Sequence, residues 1–213
     1  MKIAILSESP ADGAAVKIFV ETILDRTIEV VPWRIRSGGI DAAIHNVPPA
    51  LKALHYQRTA DALIVAIDSD NSPVHLSDHS PTDHAKLKCR FCNLQLIIEE
   101  TLRHLRPIPN QPKIQTAVAV AVPAIEAWYQ FGSDSNCTEA GWIQKQNAGV
   151  SAPAEIRNLK RAVYGTDRPG QVLSKAKAIE HAERLAADLT PLEEYFPNSF
   201  GVFAQQVREW ILE

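Results

Sequence analysis

Apolar residues along this chain follow two alternating rhythms. Ile3-Ala4-Ile5-Leu6 is a short apolar run that ends at Ser7-Glu8, and a run this short bounded by polar residues predicts a buried strand over 2–6. Pro10-Ala11-Asp12-Gly13 then marks a turn and helix start, with Asp12 read as a helix cap. Val16, Phe19, Val20, Ile23 and Leu24 recur at helical spacing over 14–24. A β-branched run at 28–33 predicts a second strand, closed by Pro32 and Ser37-Gly38-Gly39. Residues 40–55 predict a helix that Pro48-Pro49 must break or restart.

The third strand, 62–67, opens into Asp68-Ser69-Asp70-Asn71, and the polar, His-rich stretch 72–92 reads as an inserted loop. A helix over 94–105 ends before Pro107, Pro109 and Pro112. The uncharged run 114–122 predicts a fourth strand, covered on both faces. Beyond Pro123 the pattern is helical, at 124–131, 154–164, 171–189 and 199–212. Strands joined through helices predict an α/β fold: a mostly parallel four-stranded sheet flanked by helices, with a helical C-terminal extension. The expected division is an α/β domain over 1–131 and a helical part over 132–213 packed on it.

Composition adds bounds. The 213 residues are 46% apolar and 22% charged, as in an ordinary globular domain. A net charge of -3 excludes a global basic field but leaves room for a local basic groove. The N-terminal run turns polar too early for a signal-peptide core, and no apolar run reaches the ~20 residues of a membrane span. With Cys89, Cys92 and Cys137 the chain has 3 cysteines, no basis for a disulfide framework, so a reducing cytoplasm is expected.

The chemistry concentrates where strands end. Ligands of open α/β sheets gather at the carboxyl ends of the strands. There the first strand delivers Glu8, the third Asp68 and Asp70, and the fourth leads through Pro123 to Glu126. Asp68 and Asp70 are two apart, so on an extended chain both point the same way and repel. A hard cation, Mg²⁺ or Mn²⁺, relieves such repulsion.

Ser7-Glu8-Ser9-Pro10-Ala11-Asp12, Asp68-Ser69-Asp70 and Pro123-Ala124-Ile125-Glu126-Ala127-Trp128 resemble the motifs of Toprim-like proteins. The resemblance is closest to a bacterial group of unknown function found among phage-defence and mobile-element genes. Leu159-Lys160-Arg161-Ala162-Val163-Tyr164-Gly165 and Phe196-Pro197-Asn198-Ser199-Phe200 extend it. It implies a Toprim-like fold in which Glu8 is the general acid/base, Asp68 and Asp70 hold metal, and Glu126 is a further acidic site residue. Ser9-Pro10-Ala11 departs from the Gly-rich or Lys-containing stretch that follows the Toprim glutamate.

The expected function is Mg²⁺-dependent phosphodiester hydrolysis, nuclease-like, in phage defence. No tyrosine stands in the context of a covalent nucleophile, so hydrolysis is preferred to a topoisomerase-like mechanism. The alternative is a catalytically silent binding or regulatory subunit of a defence complex. The corresponding partners are nucleic acid or a partner protein, with no membrane.

Two further groups stand out. Cys89-Arg90-Phe91-Cys92 has the gap that lets two thiolates reach one Zn²⁺, with His79 or His84 completing the set and His75 as a spare. The competing reading is a helix start with buried thiols. Arg157, Lys160, Arg161 and Lys175 are candidate substrate-binding residues of a basic wall. A solvated helix face paired with Glu155, Glu180 and Glu183 explains them equally well.

Overall fold

Four parallel strands form one sheet in the order β2-β1-β3-β4: β1 Lys2–Ser7, β2 Glu29–Val31, β3 Ala62–Asp68 and β4 Gln115–Ala121. The computed structural model describes residues 1–31, 39–76 and 88–210, with 39–41 by backbone alone. β1 pairs with β3 from Ile3 opposite Ala62 to Ser7 opposite Ala66. β4 extends alongside β3 from Ala62–Gln115 to Asp68–Ala121. Of the expected 28–33 run, Glu29–Val31 form the second strand, and residues 32–38 lie outside the described ones.

Period-two alternation divides each strand between two cores. Ile3, Ile5, Ala62, Ile64, Ala66, Ala117, Ala119 and Ala121 face one layer. Ala4, Leu6, Leu63, Val65, Ile67, Val118 and Val120 face the other. The second layer is α2, Gly39–Gln57, and α3, Arg90–His104. The first begins with α1, Pro10–Leu24, and is completed by the C-terminal helices. These are α4 Ile125–Gln130, α6 Ala152–Tyr164, α7 Gln171–Ala186, α8 Thr190–Tyr195 and α9 Val202–Arg208, while α5 Glu139–Asn147 packs Trp142 in a separate small cluster with Val74, Val122 and Ala152. Among the described residues no helix is long and apolar enough to cross a membrane.

Several boundaries differ from the sequence reading. Helix α2 continues through Pro48 and Pro49 without a break. An interior proline costs about 3 kcal/mol, but Val47, Leu51 and Leu54 are fully buried and contribute about 1.5–3 kcal/mol each. Helix α3 begins at Arg90, so the second half of the Cys89–Cys92 motif is helical rather than loop. Helices α5 and α8 carry too few apolar positions to register as periodic. The final segment is a π-helical turn, Pro197–Gly201, followed by α9, in place of one helix over 199–212.

The alanines of β3 and β4 let large aromatic groups approach the sheet. Phe19 of α1 meets Trp128 edge-on at 6.2 Å and Phe200 at 5.2 Å. Trp128 and Phe200 are themselves 5.2 Å apart. All are fully buried, so this triad ties α1, α4 and the π-helical turn to one face of the sheet. Phe19→Ala or Phe200→Ala should therefore lower unfolding free energy by about 3–5 kcal/mol in urea titrations. Val172→Ala, at a site 87% exposed, should change it by less than about 0.5 kcal/mol.

Candidate functional site

The strand order reverses at the β1–β3 boundary: one crossover leaves β1 for β2, and the next returns past β1 to β3. The crevice beyond the carboxyl ends of such a pair is where open α/β sheets bind ligands. Glu8 follows β1 and Asp68 ends β3, so these two carboxylates flank the switch point. The Asp68 amide donates to Glu8 Oε1 at 3.2 Å. Asp68 Oδ1 accepts the Ile125 amide of α4 at 3.0 Å. The Ser69 amide donates to Ala121 O at 2.7 Å, and the Asp70 amide to Pro123 O at 3.0 Å. The turn after β3 is thus stitched to the exit of β4, which brings Glu126 to the same crevice.

Asp12 joins them. Its predicted capping role is present, since Ser9 Oγ accepts the Asp12 amide at 3.2 Å and Asp12 Oδ2 accepts the Ser9 amide at 3.0 Å. Its charge also acts on Asp68, a role the cap concealed. The one sequence signal was its position a helical turn beyond Glu8. Burial, reinforced by the Glu126 and Glu8 charges, pushes Asp12 up to about 7 against its Ser9 hydrogen bonds. Burial, then Glu126, Asp12 and Glu8, holds Asp68 well above the ordinary carboxylate range. Burial likewise raises Glu126, opposed by Lys160 and by a Tyr164 hydrogen bond. Glu8 stands at the exposed rim, raised by partial desolvation and by Asp70 against the Asp68 amide, Arg90 and Lys160.

Asp70 departs from the expected parallel pair. β3 ends at Asp68, and Asp70 adopts a left-handed conformation with φ 47°. Period-two geometry therefore stops before it. Its carboxylate meets Arg90 Nη2 at 2.8 Å, while Arg90 Nη1 donates to the Asp68 carbonyl.

Beneath the crevice the lining is mostly apolar, with Asp12 and Asp68 as its carboxylates. A cavity of about 10 Å³ is bounded by Asp12, Asp68, Ile125 and Trp128, room for about one water. The buried Tyr129 hydroxyl has no hydrogen-bond partner, and the charges of Asp12, Glu126 and Asp68 all reach it.

Of the basic residues, Lys160 reaches the site, with Nζ 4.0 Å from Glu126 Oε1. Tyr164, one turn further along α6, also faces Glu126. Arg161 turns aside to Asp167 at 3.0 Å, and Lys177 pairs with Glu180 at 2.8 Å. Glu155 is held by Lys145 at 2.6 Å. Arg157 and Lys175 are solvent-exposed on α6 and α7, so the expected continuous basic wall reduces at the crevice to Lys160. Beside Asp70 an open groove of about 500 Å³ is lined by Lys88, Arg90, Asn71, Ser72 and Pro153. Both cations had been read only as part of the insertion.

The thiol pair forms a second site. Cys92 Sγ lies 3.4 Å and Cys89 Sγ 3.9 Å from His75 Nδ1. Metal–ligand lengths of about 2.3 Å to sulfur and 2.05 Å to nitrogen, at a tetrahedral angle, place such atoms about 3.6 Å apart. The three ligand atoms lie within 4.8 Å of one another, so the group could hold a metal ion. Among the described residues it is the one group with three ligating side chains this close, the acidic carboxylates standing further apart. His79 and His84 lie outside the described residues, and His75 takes the ligand position for which it was the spare. Cys137 is a buried thiol pushed up to about 12 by burial, donating to the Ala127 carbonyl at 3.4 Å.

No family model, curated protein or solved structure matches the chain.

The raised carboxyl groups set a pH dependence. A carboxyl whose folded pKa exceeds its unfolded value stabilises the fold below the unfolded value and loses that contribution as pH rises through the folded one. For Asp12 the window runs from 3.8 to about 7. In metal-free buffer the melting temperature should fall between pH 5 and pH 8, and Asp68→Asn should flatten that fall. At pH 8 the same substitution should raise the melting temperature by roughly 2–5 °C, read by calorimetry.

Proposed function

We propose that this chain is a Mg²⁺- or Mn²⁺-dependent phosphodiester hydrolase, nuclease-like, acting at the crevice between β1 and β3. One observation carries the reading. Carboxylates from the ends of three strands, with Asp12, gather at a topological switch point although burial raises their pKa values, reinforced at Asp12 and Asp68 by neighbouring carboxylates. Raised carboxyl pKa values gathered at a ligand-binding crevice are a mark of functional sites. The donor set, all oxygen and all acidic, fits a hard divalent cation and no soft one. Glu8, Asp68 and Glu126 would have to draw closer than they stand in the structure to hold it together, and it would supply charge neutralisation for the phosphoryl group.

The chain's own residues divide the remaining work. Glu8, the carboxylate open to solvent, is placed to move a proton to or from water or a leaving oxygen. Lys160, 33% exposed beside buried Glu126, offers a positive charge to a phosphate. Asp70, occupied by Arg90, serves as a ligand only when that pair opens. The resemblance of Glu8, the Asp68-Ser69-Asp70 turn and the segment around Glu126 to Toprim-like proteins supports the same chemistry, with nucleic acid as substrate in phage defence. The thiol knuckle of His75, Cys89 and Cys92 is a structural Zn²⁺ site, on the strength of its ligand spacing.

The Arg90–Asp70 pair favours a second reading, a catalytically silent binding or regulatory subunit, because it withdraws one expected ligand. Purified protein incubated with single- and double-stranded DNA and RNA plus Mn²⁺ separates the readings. Cleavage should fall at least ~10²-fold in Glu8→Ala and Asp68→Ala with the melting temperature retained. Undiminished cleavage by the double variant would sink the hydrolase. Tight Mn²⁺ binding without turnover of DNA, RNA or nucleotides would establish the silent module.

A further inference from the structure

A single turn of chain touches both sites. Cys89 and Cys92, 1% and 5% exposed, face His75. Arg90 lies between them in sequence, and its guanidinium grips the turn after β3 at the Asp68 carbonyl and at Asp70 Oδ2. It is only 17% exposed, so its position is set by the surrounding protein. The backbone reinforces the link: the Arg90 amide donates to Ser72 Oγ at 3.0 Å, and Ser72 Oγ donates to the Lys88 carbonyl at 2.8 Å. Cys89 is the N-cap of α3 without a side-chain capping bond. His75 packs against Phe91 with the rings tilted by 33° and their centroids 4.2 Å apart. The first turn of α3 is thus anchored at the knuckle as well as at Ser72, Asp68 and Asp70.

We propose that metal held by His75, Cys89 and Cys92 controls the divalent-cation affinity of the acidic crevice through Arg90. With the knuckle loaded, Arg90 is fixed on Asp70 and neutralises it. With the knuckle empty, the first turn of α3 loosens, Arg90 withdraws, and Asp70 becomes an additional carboxylate beside Glu8. Removing a cation and exposing an anion both strengthen attraction for a second cation, so the two sites oppose each other. Linkage makes the effect reciprocal: a cation in the crevice weakens the knuckle's hold on its metal by the same factor. The proposal rests on the reading that the crevice binds a divalent cation, whether or not it cuts a phosphodiester.

The test is Mn²⁺ titration calorimetry on the full chain in four forms: wild type and Arg90→Gln, each loaded with one equivalent of Zn²⁺ or stripped of it. Co²⁺ replacing Zn²⁺ should first show a thiolate-to-cobalt absorption band, abolished in Cys92→Ser. Stripping the wild type should tighten Mn²⁺ binding about tenfold, and restoring Zn²⁺ should reverse it. Loaded Arg90→Gln should already bind about tenfold more tightly, with no further change on stripping. Equal shifts in wild type and Arg90→Gln would overturn the route through Arg90. No shift in either, or no thiolate band, would overturn the control altogether. Absence of Mn²⁺ binding in every form would overturn the acidic-site reading and the control with it, whereas binding without turnover removes only the hydrolase.

Discussion

The carboxylate of Asp68 is held at the end of a strand buried on both faces and cannot withdraw from its neighbours. β3 is enclosed by α1 and the C-terminal helices on one side and by α2 and α3 on the other. Its last residue is bound by the Ile125 amide through its side chain and by Glu8 through its backbone. The rest of the crevice is arranged around that fixed carboxyl group. Asp12 shifts toward neutrality, Lys160 comes up behind Glu126, and Asp70 turns away to Arg90. Charges that were free to move apart would not need so many partners.

Much of this was legible in the sequence, because buried parallel strands advertise themselves. The four apolar runs became the four strands; of the carboxylates read as leaving the core at their ends, Glu8 is exposed, Asp68 is half-buried and Glu126 is buried. Glu8, Asp68 and Glu126 were placed by that rule alone. Asp70 was not, because period-two alternation holds only while the chain is extended and β3 stops at Asp68. Asp12 was seen as a cap and is one, but a capping box also fixes a carboxylate in space, here beside others. The role of Arg90 was hidden by its place inside a metal-binding motif. Its partners, Asp68 and Asp70, are 22 and 20 residues away in the chain, a distance that no local pattern spans.

The C-terminal helices show a different limit. Helix α5 has little apolar periodicity, yet it is pinned by Glu139, 1% exposed, whose carboxylate accepts bonds from the Asn198 backbone and side chain. That interaction couples segments 59 residues apart and shapes the turn that presents Phe200 to Phe19. Buried carboxylates in this protein therefore serve two purposes. Glu139 is held by neighbouring donors and acts as a fastener, although burial raises its pKa as well. The crevice carboxylates have donors of their own but also act on one another's charge.

This difference bears on what the crevice is for. A carboxylate that only had to cap a helix or close a turn would be stabilised by its surroundings, as Ser9 stabilises Asp12 locally. Asp68 and Asp12 are pushed toward neutrality despite those bonds, so the cluster as a whole opposes folding at neutral pH. The fold tolerates this because the aromatic triad and the alanine face of the sheet bury large side chains directly beneath it. A rigid, well-packed floor under a self-repelling rim keeps the charges at fixed positions when relaxation would separate them. Preorganisation of that kind is what a site needs if a cation and a phosphate are to be bound without first rebuilding it.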